Sequence, residues 1–323
     1  MKRIAFILFG LGLFSFVQVP AHAVYPDSLR IVVLGSSTAS ATGASVPDSG
    51  WVWRYTAYLA TEYPGSEVIN LAVGGYTTYH IQSRHFRAPE KRPEPDTIRN
   101  ISTAITLRPS AIIINLPSND AARNIPLSER IANLVRVANH AARFGIPLWI
   151  CTSQPRNMSD TRRRDLLAMR DFTLETFEKN ALDFWSPLAT RAGRIRRKFD
   201  SGDGVHLNDA GHRVLFGVVR KARIPEQLRA PGTLPHMYSR PSLRALPNPA
   251  RDFVTFRIHT VHPGGYSIRI IDLFGKEVQR YNGTGAPGVF LRFFPTASLH
   301  RGVYHVYLRN GPADLSIPLY IKR

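Results

Sequence analysis

Ile31-Val32-Val33-Leu34-Gly35-Ser36-Ser37-Thr38 decides the fold. A short apolar run that stops at glycine and small polar residues reads as a strand buried on both faces, which calls for parallel neighbours with helices covering the sheet. Outward from this stretch, Val68 to Leu71, Ala111 to Leu116 and Pro147 to Cys151 repeat the strand pattern, while Trp51 to Glu62, Leu127 to Arg143 and Arg163 to Asn180 carry apolar stripes at helical spacing. The rhythm predicts an α/β domain with a central, mainly parallel sheet from Leu29 to about Arg220. Sites in such sheets form beyond the carboxyl ends of the strands, where Gly35-Ser36-Ser37-Thr38, Gly74-Gly75 and Ser118-Asn119-Asp120 fall.

With Asp203-Gly204-Val205-His206 near the end of the domain, these segments supply the roles of serine-dependent acyl transfer, a chemistry that needs neither metal nor organic cofactor. Ser37 is the expected nucleophile. His206 is the expected base, because imidazole changes protonation near neutral pH, and Asp203 is expected to orient it. The backbone N–H groups of Ser37 and Gly75 and the side-chain amide of Asn119 are the expected oxyanion donors. Asp120 is expected to brace its loop by accepting hydrogen bonds.

A competing reading makes Asp203, His206, Asp209 and His212 a metal cluster. Gly202, Gly204 and Gly211 argue against the single helix this requires, and the scheme has no use for Ser37 or Asn119.

The ordered motifs over residues 29–220 resemble the SGNH, or GDSL-type, hydrolases. The resemblance implies a flavodoxin-like three-layer sandwich, a serine esterase, no cofactor, and Ser37, Gly75, Asn119, Asp203 and His206 as the catalytic set, with Asn70 beside the second block. Two positions depart from the family pattern: Ser36 stands where aspartate is usual, and Pro117 where glycine is usual, which fixes φ and removes an N–H.

Residues 1–23 read as an export signal, with Lys2-Arg3, an apolar run from Ile4 to Val19, and Ala21-His22-Ala23 at the cleavage point. No other segment is long and apolar enough to span a bilayer. The sole cysteine, Cys151, lies in an apolar run and reads as a small buried hydrophobe. A formal charge of +19 favours anionic partners, yet the charge is dispersed and no docking motif points to specific nucleic-acid binding. The densest basic cluster, Arg191, Arg194, Arg196, Arg197 and Lys198, reads as a solvated helix face that could also attract an acidic substrate.

The hydrolase domain is expected over residues 24–223, and the proline-rich stretch 224–246 reads as a linker. In 247–323 the apolar stretches Phe253 to Ile258, Tyr266 to Ile271, Val289 to Phe293 and Val303 to Leu308 alternate with turns, predicting a small antiparallel β-sandwich. Its Pro247-Asn248-Pro249-Ala250 opening, its Asp272-Leu273-Phe274-Gly275 turn and its Ile321-Lys322-Arg323 end resemble the sorting domains of type IX secretion. That resemblance implies the secretion machinery as a partner and a secreted or outer-surface location.

The resulting expectation is an exported esterase acting on an acylated small molecule or polysaccharide, with acetyl esters of carbohydrate foremost. Two alternatives are a lipid or lysophospholipid esterase, with Trp51, Trp53 and the run Val52 to Leu59 lining an acyl path, and a non-catalytic carbohydrate-binding protein.

Overall fold

The computed structural model describes residues 28–116, 118–230, 240–285 and 287–322; the expected signal segment 1–23 and Pro117 lie outside them. Five parallel strands form the first sheet: β1 (Arg30–Gly35), β2 (Glu67–Asn70), β3 (Ala111–Asn115), β4 (Leu148–Cys151) and β5 (Ala181–Leu182), in the order β2-β1-β3-β4-β5. The order reverses between β1 and β3. A doubly wound sheet opens a crevice at that switch point.

Helices cover both faces. They are α1 (Trp51–Glu62), α2 (Ile101–Thr106), the single turn α3 (Asn119–Ala122), α4 (Leu127–Ala142), α5 (Asp160–Phe177), α6 (Asp209–Lys221) and α7 (Ile224–Arg229). Side chains alternate across each strand, so neighbours in β1 serve opposite layers. Ile31 and Val33 join Trp51, Tyr55 and Leu59 of α1 and Leu215 and Val219 of α6. Val32 and Leu34 join Ile101 of α2, Ile131 and Leu134 of α4 and Phe172 of α5. Cys151 is buried as expected, and burial pushes its thiol pKa well above the usual range.

The remaining strands build two antiparallel sheets. One contains β6 (Ser242–Leu246), β7 (Phe253–Thr260) and β10 (Gly288–Pro295); the other contains β8 (Gly264–Asp272), β9 (Glu277–Gly285), β11 (Gly302–Asn310) and β12 (Ala313–Ile321). Val254, Phe256, Ile268, Val306 and Leu319 meet between them.

Three details differ from the sequence reading. The expected linker is structured at both ends, because Ile224 and Leu228 of α7 join the α1–α6 core and Ser242–Leu246 pairs with β7. The basic cluster from Arg191 to Lys198 is exposed on irregular chain with one short 3-10 turn, not on a long helix. The sandwich is also seated on the α/β domain: Phe253, Leu291 and Phe293 pack against the α2–α4 core, the Asn139 amide donates to Leu291 O at 2.7 Å, and Leu291 N–H donates back to Asn139 Oδ1 at 3.0 Å.

Candidate active site

The chain leaves β1 through a tight turn in which Ala39 and Ser40 N–H both donate to Ser36 O. Gly35 is required there because a Cβ would lie 2.6 Å from Asn115 O of the adjacent β3. The turn places Ser37 at the strand's carboxyl end, 9 % exposed. Asn70 ties the end of β2 to the turn by donating to Ala39 O at 2.8 Å.

His206 arrives from the loop before α6, 169 residues away, and its Nε2 lies 3.0 Å from Ser37 Oγ. Its Nδ1 lies 2.6 Å from Asp203 Oδ2. Asp203 Oδ1 accepts from the backbone N–H groups of Val205 and His206, both at 2.8 Å, so the carboxylate is fixed before it meets the ring. Partial burial pushes the Asp203 pKa up, but the His206 backbone N–H, the His206 ring and the Val205 N–H outweigh it and hold the carboxyl well below its usual range. Ser37, His206 and Asp203 thus form one hydrogen-bonded chain.

The donors beside Ser37 divide into two kinds. Among the described residues, neither the Ser37 nor the Gly75 backbone N–H has a hydrogen-bond partner, and Gly75 sits at φ +81°, a backbone that favours glycine. The Asn119 amide, by contrast, has both hydrogens engaged, donating to Ser36 Oγ at 2.7 Å and to Tyr76 O at 2.9 Å. Asn119 therefore ties the β1 turn to the loop carrying Gly75, and it must release one acceptor before it can meet an oxyanion.

Asp120 reaches further than its own loop. Buried, it accepts from Thr78 N–H at 3.1 Å and from Thr78 Oγ1 at 2.6 Å, locking the Asn119 turn to the Gly75 loop. Burial pushes its pKa up, against the pull of the Thr78 bonds and of Arg130.

The residues of the metal alternative do not converge. Asp209 accepts from Ser45 N–H at 2.8 Å and Ser45 Oγ at 2.6 Å. The His212 ring lies between Trp51 N–H and Thr42 O, and burial pushes its pKa down, so it is a neutral brace under the Ser37 turn.

The sequence reading missed two arginines. Arg123 Nη2 donates to Gly75 O at 3.0 Å, and Arg156 Nη1 reaches Ser118 Oγ at 3.2 Å and Asn119 Oδ1 at 3.4 Å. Arg123 caps α3, directly after the Ser118-Asn119-Asp120 motif, and Arg156 stands on the loop after β4 with no motif around it, so only the fold brings their side chains to Gly75 and Asn119.

Residues 33–214 match the GDSL-like Lipase/Acylhydrolase family, and residues 244–322 match the Secretion system C-terminal sorting domain. No curated protein matches the chain. Among solved structures, the psychrotrophic esterase EstA from Pseudoalteromonas sp. is 16 % identical, with 62 % of this chain and all of that one covered, at a TM-score of 0.48. A lipase/acylhydrolase from Enterococcus faecalis is 18 % identical, with 60 % and 94 % covered, at 0.45. A two-domain esterase active on acetylated mannans is 14 % identical, with 83 % and 81 % covered, at 0.45. The sorting domain gives the chain a secretion address and a secreted or cell-surface location. The chain belongs to the GDSL-like lipase/acylhydrolase family and is a carboxylic ester hydrolase of the GDSL/SGNH type.

Proposed function

We propose that the protein hydrolyses small O-acyl esters, acetyl esters of carbohydrate foremost, with Ser37 as nucleophile, His206 as general base and acid, Asp203 as the orienting carboxylate, and Gly75 and Asn119 at the oxyanion. The observation that carries this reading is the continuous Ser37–His206–Asp203 hydrogen-bonded chain, together with Ser37 and Gly75 backbone N–H groups that have no partner among the described residues. Ser37 Oγ attacks the ester carbon while its proton passes to His206 Nε2. The carbonyl electrons move to oxygen, which accepts from the Ser37 and Gly75 N–H groups; each such donor is worth about 3–4 kcal/mol in the transition state. Collapse expels the alcohol, which takes the proton from Nε2 and leaves an acyl group on Ser37. Water then gives its proton to Nε2 as its oxygen attacks the acyl carbon. Loss of the carboxylic acid returns that proton to Ser37 Oγ.

The lipid alternative loses most of its acyl path: Trp51, Val52, Tyr55 and Leu59 are core residues, and the Trp51 indole donates to Asn115 Oδ1 inside the domain, while Trp53 is exposed. The 24–223 hydrolase unit is extended in this proposal through α7, and β6 is assigned to the delivery domain.

The test is a chain-length series of esters of one alcohol, run beside acetate release from acetylated polysaccharides. Preference for acetyl over octanoyl together with acetate release supports the proposal. Preference for octanoyl shifts it to lipid esters, and tight polysaccharide binding without hydrolysis of any ester shifts it to a binding module.

A further inference from the structure

We propose that Arg123, Arg156 and Arg162 form an anion-binding rim, so that the preferred substrate is an ester carrying a carboxylate or phosphate beside the scissile bond. The inference rests on the esterase reading of the same site.

Each guanidinium is held by neutral oxygens. Arg123 rests on Gly75 O, Arg156 on Ser118 Oγ and Asn119 Oδ1, and Arg162 on Asn124 Oδ1 through Nε at 3.2 Å and Nη2 at 2.8 Å. None of the three has a carboxylate partner among the described residues, whereas many other arginines of the chain do. The acidic group that faces Arg156 electrostatically is Asp203, and it is already committed to His206; Arg162 acts on Arg156 as a like charge. Arg156 and Arg162 are like charges within reach of each other, and a bound anion relieves that repulsion.

Their placement decides which anion matters. Arg123 holds the carbonyl of Gly75, the residue proposed to donate to the oxyanion. Arg156 spans the gap between the other two site loops, since it touches Asn119 on one side while its neighbour Asn157 donates N–H to Gly204 O at 2.8 Å on the other. On the proposed reading, an ester at Ser37 meets loops that Arg123 and Arg156 hold. Guanidinium is a planar fork suited to carboxylate and phosphate oxygens. The basic excess of the whole chain adds a long-range attraction of the same sign.

The experiment compares twin substrates at neutral pH: an O-acetyl methyl uronide against its carboxyl methyl ester, and an O-acetyl sugar phosphate against the unphosphorylated sugar acetate. The rim predicts kcat/KM about tenfold or more higher for the anionic member of at least one pair, declining as salt rises. The larger ratio identifies carboxylate or phosphate as the source. In a protein carrying Arg123→Gln and Arg156→Gln, that ratio falls to within about twofold of unity. If the double variant fails to fold, Arg123→Gln and Arg156→Gln are measured singly, and a ratio unchanged in both overturns the rim. Equal rates within both pairs, or a ratio that survives the double substitution, overturn the rim. If 4-nitrophenyl acetate is hydrolysed while the twins are not distinguished, only the rim falls; if 4-nitrophenyl acetate is untouched, the catalytic reading falls with it.

Discussion

The Asn119 amide donates to the Ser36 hydroxyl at 2.7 Å, coupling the residue beside the nucleophile to the loop after β3. Ser36 replaces the family's usual aspartate, and a neutral hydroxyl holds an amide less firmly than a carboxylate would. Asn119→Ala is expected to lower kcat by about a hundredfold or more, and Ser36→Ala by less. Since the two side chains touch, the double variant should lose less than the product of the single losses. Steady-state kinetics of the four proteins check this; strict multiplication of the losses would show that the bond plays no part in turnover.

Asp203→Asn should keep the fold and lower kcat by about a thousandfold or more, because an amide no longer stabilises the His206 imidazolium or fixes its tautomer. The pH dependence of stability follows from the sign of the shift. A folded-state pKa held below the unfolded value of about 3.9 gives a contribution that is complete above that value and fades as pH falls through the lower folded one. The Tm gap between wild type and Asp203→Asn should therefore shrink as pH falls below about 4, where the carboxylate takes its proton. A gap that keeps widening below about pH 4 would contradict the assigned carboxylate.

The seat between the domains makes a separate prediction. A chain ending at Ala230 removes Phe253, Leu291 and Phe293 from the α2–α4 core and leaves Asn139 without Leu291. It should fold and retain turnover, because every proposed site residue precedes it, but melt several degrees lower; each lost kcal/mol moves Tm by about 2–4 °C at this size. Turnover lost from a folded truncated chain would place part of the site at the seam. Export of the truncated chain should fail in a host with this secretion route, since it lacks the sorting domain.

Cys151 should resist maleimide in the folded protein and react on unfolding, because it is buried in the sheet and burial raises its thiol pKa. Rapid labelling of the native protein would mean that β4 opens far more often than its core position implies.

Strands β1 to β4, helices α1, α4 and α5, and the Ser37, Asp203 and His206 grouping were legible because periodicity and motif order are local signals, whereas α6, 13 residues long, was not read as a helix. β5 was not: two residues, Ala181 and Leu182, cannot display a period. β6 was hidden because Pro241 and Pro247 flank it, although Ser242 to Leu246 has a free run for pairing. The engagement of Asn119 with Ser36 and Tyr76 and the arrival of Arg123 and Arg156 depend on tertiary distances between loops. No spacing along the chain encodes those.

The most direct test of the central claim is mass spectrometry of the protein quenched during reaction with an activated acetyl ester. The account predicts an acetyl increment on the peptide containing Ser37, its accumulation in the His206→Ala protein if acylation still proceeds, and its absence with loss of turnover in Ser37→Ala. An acetyl group found elsewhere, or wild-type turnover by Ser37→Ala, would contradict it.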